Sequence, residues 1–115
     1  MKAARAALAA GEQGRYWNFV ELFYRNQGAE NSGYVTDGFL RSLAKAAGVP
    51  DIGKWDADRN SSRWDHDLAK VQADAQSHGI DATPSIVVEG PREAKLVGSG
   101  VVPLREIQSA IRSVD

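Results

Sequence analysis

Along this chain the apolar positions keep helical spacing for most of its length, switch once to an extended pattern, and return to helical spacing at the end. Lys2 to Ala10 is Ala-rich, a composition that favours helix by propensity alone, and Gly11 is a natural stop. Between Arg15 and Gln27, Tyr16, Phe19, Val20 and Phe23 recur at helical spacing, Trp17 and Tyr24 widen the stripe, and Gly28 ends it. Aromatic residues so spaced usually form core, although Trp17, Phe19, Phe23 and Tyr24 could also line a peptide groove. Ala29 to Tyr34 reads as loop. Thr36 or Asp37 can then cap a helix burying Phe39, Leu40, Leu43 and Ala47, which Gly48 closes. Val49-Pro50-Asp51 restarts the chain, with Ile52 and Trp55 on one or two helical turns before the polar run Asp56 to Ser62.

From Arg63 to His78 a further helix is predicted, with Leu68, Val71 and Ala75 on its apolar face and Gly79 as its stop. Ser85-Ile86-Val87-Val88-Glu89 is rich in β-branched residues, Gly90-Pro91-Arg92-Glu93 is turn chemistry, and Ala94 to Val97 can return as the partner strand. Pro103 opens a last helix with Leu104, Ile107, Ala110, Ile111 and Val114 on one side. The fold class is therefore α+β and mostly helical, in one domain of 115 residues without repeats or a linker. A two-stranded hairpin is marginal alone, and Ile86-Val87-Val88 lacks alternation. That run predicts a strand covered on both faces inside a larger sheet.

Composition narrows the function. With 43% hydrophobic and 25% charged residues and a net charge of -1, the chain reads as a globular domain without the basic stripe that neutralises nucleic-acid phosphates. No apolar stretch reaches the roughly 20 residues of a membrane-spanning helix. The start, Met1 to Leu8, is too short in its apolar part for a secretory signal and reads as an amphipathic helix. There is no cysteine, so neither a disulfide framework nor a cysteine metal site can form, and the redox compartment is not legible from thiol usage.

The stretch Gly79-Ile80-Asp81-Ala82-Thr83-Pro84-Ser85-Ile86-Val87-Val88-Glu89-Gly90 resembles the cis-proline loop and following buried strand of the DsbA-like thioredoxin-fold thiol:disulfide oxidoreductases. The similarity extends backward. Ala3 to Ala7, Gly11-Glu12-Gln13-Gly14 and the aromatic segment Tyr16 to Gln27 look like the first helices of that family's helical insertion. The resemblance implies a partial thioredoxin-like fold: a helical insertion over residues 1–79, then the cis-Pro loop, β-hairpin and C-terminal helix over 80–115. It also implies that the family's front portion, a strand followed by a Cys-x-x-Cys helix, is missing, leaving a C-terminal portion beginning just before the insertion. Disulfide exchange needs a thiolate attacking sulfur, so this chain is expected to be inactive alone, with no catalytic residue of its own. The binding half of the site would remain. Ala82, Thr83 and Pro84 are the expected substrate-binding residues, with a cis Thr83–Pro84 bond, although cis is only about 5% of X-Pro bonds, and main-chain groups free to pair with an extended peptide or protein substrate. By resemblance the parent would be extracytoplasmic; the compartment of this chain stays open. Surface that would have packed on the missing strands is expected to be exposed, with self-association by segment exchange or through the strand edge.

Other chemistry is weakly supported. His66 and His78 lie twelve positions apart on one predicted helix, too far to share a metal, and read as solvent-exposed. Asp65 and Asp67 flank His66, a trio that a polar helix face explains equally well. Ser61, Ser62 and Ser85 lack a base-and-orienter arrangement, and no phosphate loop is present. No metal or cofactor is expected. Two alternatives to a partial oxidoreductase remain: a non-enzymatic peptide-binding or assembly module on the same fold remnant, and a relative acting on glutathione or aromatic substrates.

Overall fold

Short polar side chains set where two of the helices begin. The Thr36 hydroxyl oxygen accepts from the Phe39 N–H at 3.1 Å, and an Asp51 carboxylate oxygen accepts from the Lys54 N–H at 2.9 Å, each supplying a partner that the first helical turn lacks. In the computed structural model, which describes residues 1–115, those caps open α3 (Asp37–Ala46) and α4 (Ile52–Arg59). They follow α1 (Lys2–Gly11) and α2 (Tyr16–Arg25). A single 3-10 turn, Ser62–Trp64, leads to α5 (Asp65–Ser77), then β1 (Ser85–Glu89), β2 (Ala94–Ser99) and α6 (Leu104–Val114). The mostly helical α+β class holds. The chain forms two units, Met1–Asp65 and His66–Asp115, and no helix is long and apolar enough to cross a membrane.

In the first unit the alanines of α1 act as a flat surface. Ala6, Ala9 and Ala10 have no exposure at all, and their small side chains let α4 come close enough for the Trp55 indole N–H to donate to the Ala6 carbonyl at 3.0 Å. Phe19, Leu40, Leu43, Ala44, Ala47 and Val49 complete this core. The buried face expected for α3 is present, with Ala44 joining it and Phe39 only half-buried. Of the α2 aromatics, Phe19 is core and Phe23 half-buried, whereas Trp17 is 76% and Tyr24 67% exposed. The apolar stripe on α2 is wider than the surface available to cover it.

The polar run from Asp56 onward, read from sequence as following a brief helical stretch, stays helical through Arg59 because its charges pair with one another. Arg59 is buried, stacks 5.0 Å from the Trp55 ring centre, and donates to Asp56 at 2.7 Å and to Asp37 at 3.1 Å. Arg41 adds a second contact to Asp56 at 2.9 Å. The Arg59 hydrogen bond holds the Asp37 carboxyl below its ordinary range, helped by the nearby Lys2 charge; the same arginine, seconded by Arg41, lowers Asp56 against the opposing effect of burial.

In the second unit β1 and β2 form a two-stranded antiparallel sheet with a bulge on β2. The helix α6 packs over the face carrying Gly90: a β-carbon there would lie 2.1 Å from the Val114 carbonyl oxygen, so only glycine permits this approach. The strand expected to be covered on both faces is only half-buried at Ile86, Val87 and Val88. The apolar faces are likewise incompletely covered. No residue of α5 is buried and Val71 is exposed, while on α6 only Ala110 and Val114 are buried and Leu104 and Ile111 are not.

Candidate functional site

The connection between α5 and β1 is tightly held at both ends and open in the middle. At its start Gly79 adopts φ +70°, its N–H donates to the Gln76 carbonyl at 3.0 Å, and the Ile80 N–H reaches the Ala75 carbonyl at 2.9 Å. This pair of bonds is the Schellman arrangement that ends a helix on a left-handed glycine. At its far end the Pro84 carbonyl accepts from the Gly100 N–H at 2.7 Å. The Ser85 hydroxyl donates to the Ala82 carbonyl and lies 2.8 Å from the Ser99 hydroxyl. The Thr83–Pro84 peptide bond is cis.

Between these clamps, Asp81, Ala82, Thr83 and Pro84 are all exposed. The N–H and C=O of Asp81, the Ala82 N–H and both the N–H and the C=O of Thr83 have no partner within the chain. Five main-chain polar groups thus stand in a short, anchored, exposed segment, an arrangement suited to pairing with another extended backbone.

The family model for DSBA-like thioredoxin domains matches residues 1–112. The chain belongs to that family. No curated protein matches it. One feature of its sequence bears directly on chemistry: it contains no cysteine. Thiol exchange, which needs a thiolate whose nucleophilicity is tuned by its surroundings, therefore has no atom to act on within these residues.

The other sequence candidates are dispersed. His66 is exposed on α5 with its Nδ1 3.3 Å from Asp67, and His78 lies just past the helix end with Nδ1 2.9 Å from the Asp74 carbonyl oxygen. No group of three or more His, Asp or Glu side chains is arranged to hold a metal ion. A shallow groove of about 270 Å³ runs between α1 and α2, walled by Ala3, Ala4 and Ala7 on one side and by Tyr16, Val20 and Tyr24 on the other. Its lining offers no charged group. Sequence reasoning singled out Ala82, Thr83 and Pro84 but not the two residues whose bonds take up the Ala82 and Pro84 carbonyls and anchor the segment, Ser85 and Gly100; the glycine at the end of a β-branched hairpin was the one available signal.

Proposed function

We propose that this chain supplies the substrate-facing side of a DsbA-like thiol:disulfide oxidoreductase, holding an extended peptide at Ala82, Thr83 and Pro84, and does not itself carry the thiol step. The observation that carries this reading is the set of unpaired main-chain groups at Ala82 and Thr83, exposed in a segment whose neighbours are pinned. An extended peptide satisfies such groups by main-chain hydrogen bonds, which give affinity with little demand on side-chain identity. In disulfide exchange a thiolate attacks one sulfur of a disulfide, a mixed disulfide forms, and the other sulfur departs as thiolate. With no cysteine in the chain, the attacking sulfur has to come from outside these 115 residues. The role left to this chain is to present the peptide.

The test is calorimetric titration with an unstructured peptide whose single cysteine is S-methylated. Saturable binding is expected. Ala82→Pro removes one main-chain donor, worth about 1 kcal/mol, and weakens affinity by about fivefold to tenfold, while Thr83→Val leaves it unchanged because the threonine side chain is not the recognised group. Absence of saturable binding, or equal affinity for the Ala82→Pro variant, would overturn the reading. The missing cysteine also favours a second reading, a non-enzymatic peptide-binding module. A reduced cysteine-bearing DsbA-like segment added in trans, together with the same peptide carrying its cysteine as a mixed disulfide with a small thiol in place of the S-methyl group, distinguishes the two: attack of the segment's thiolate with release of the small thiol, faster in the presence of this chain, supports the oxidoreductase, and binding without such acceleration supports the module.

A further inference from the structure

The open segment before β1 carries charge as well as main-chain hydrogen-bonding groups. Asp81 is exposed, and the ion pairs of the chain leave its carboxylate out. From Val71 to Pro91 the chain has no Lys or Arg, yet it holds Asp74, Asp81 and Glu89. From Leu96 to Leu104, the stretch that brings the Gly100 N–H to the Pro84 carbonyl, it has no charged residue at all. His78 is the one base beside the segment in sequence, and its Nδ1 lies 2.9 Å from the Asp74 carbonyl oxygen. Arg105, the first base of α6, is exposed and belongs to none of the ion pairs.

The helix that leads into the segment adds to this negative character. α5 runs for 13 residues and has no basic residue in its last turn. The C-terminal end of a helix carries about half a negative elementary charge, and here only His78, Gly79 and Ile80 separate that end from Asp81. The N–H and C=O of Asp81 are themselves without partners in the chain, so an extended peptide that pairs with them sets one of its side chains beside the carboxylate. Residues directly opposite one another in such a pair have Cβ atoms about 4.5–5.5 Å apart, a gap that the stem of a lysine or arginine spans. A cation placed there meets an acid with no competing partner. An acid placed there meets both Asp81 and the negative end of α5.

We propose that the peptide taken at this site is a basic one, with a lysine or arginine of the bound segment paired to the Asp81 carboxylate. This rests on the peptide-holding role proposed above and names the class of peptide held. The test uses the full chain in calorimetric titrations at low salt, with the S-methylated peptide made with Lys, Gln or Glu at the two residues on each side of the modified cysteine. Affinity falls from Lys to Gln to Glu by about twofold to fivefold per step, the range of an exposed ion pair, and the steps shrink at about 0.5 M salt. Asp81→Asn removes the order and Asp81→Lys reverses it, both with wild-type circular dichroism because the Asp81 side chain is exposed and unpaired. Glu93→Gln, an equal loss of charge at the hairpin turn, keeps the order. Equal affinities for the three peptides, or an order that survives Asp81→Asn, overturns the proposal and leaves the peptide-holding role standing. So does a preference that disappears once the cysteine-bearing DsbA-like segment is present in trans, because Asp81 is then that segment's partner. Absence of saturable binding by any of the three peptides overturns the peptide-holding role itself, and this proposal with it.

Discussion

Replacing Trp55 with phenylalanine isolates the interactions that join α4 to α1. The indole N–H loses its bond to the Ala6 carbonyl, a buried contact of 3.0 Å worth about 1 kcal/mol. The smaller ring leaves a void in a site with no solvent exposure, which adds about 1–2 kcal/mol because flanking helices relax only partly. The stacked guanidinium of Arg59, 5.0 Å away, loses part of its attraction to the larger π-system, about 0.5 kcal/mol. The expected cost is about 2–4 kcal/mol in the first unit. Urea unfolding followed by far-UV circular dichroism measures it, with Trp17→Phe as the matched control. Trp17 is 76% exposed, so its replacement should stay within about 0.5 kcal/mol of wild type. A Trp55→Phe cost no larger than that of Trp17→Phe would refute the packing described for α1 and α4.

Two further outcomes follow from the same contacts. Gly90→Ala forces a β-carbon to within 2.1 Å of the Val114 carbonyl, so the last turn of α6 must move; a loss of about 1–3 kcal/mol and faster amide exchange at Ala110 to Val114 are expected, and unchanged exchange would contradict the packing of α6 on the hairpin. Asp37 and Asp56 are held below their ordinary value of 3.8, so the unfolded chain binds more protons than the folded one in the acid range. Their stabilisation is present above that value and is lost as pH falls below it; acid unfolding monitored by circular dichroism should be shallower in the Asp37→Asn, Asp56→Asn double variant, and an identical acid midpoint and slope would argue against the Arg59 cluster.

Most helices were legible because their signals are local: Thr36 as a cap, Gly48 and Gly79 as stops, and the spacing of Leu40, Leu43 and Ala47 each act within a few residues. The hairpin was legible for the same reason, through its β-branched run and the Gly90-Pro91 turn. What escaped is set by partners distant in sequence. The helical run from Asp56 to Arg59 depends on Asp37 and Trp55 meeting Arg59, and composition alone reads as loop. The exposure of Trp17, Tyr24, Leu104 and Ile111 depends on how much surface lies opposite, which periodicity cannot express. At the candidate site, resemblance pointed to Ala82, Thr83 and Pro84, but which main-chain groups are taken emerged only from the structure, in the Ser85 bond to the Ala82 carbonyl and the long-range Gly100 bond to the Pro84 carbonyl.

The central claim, that a cysteine-free DSBA-like chain retains a main-chain peptide site, is tested most directly by residue-resolved NMR titration with the S-methylated peptide, using glutathione as the control. The account predicts saturable shifts of the Ala82 and Thr83 amides that spread no further than Ser85 and the Pro84 partner Gly100, with glutathione producing none. Shifts centred on Trp17 and Tyr24 in the α1–α2 groove, or none at Ala82 and Thr83 at saturation, would contradict it.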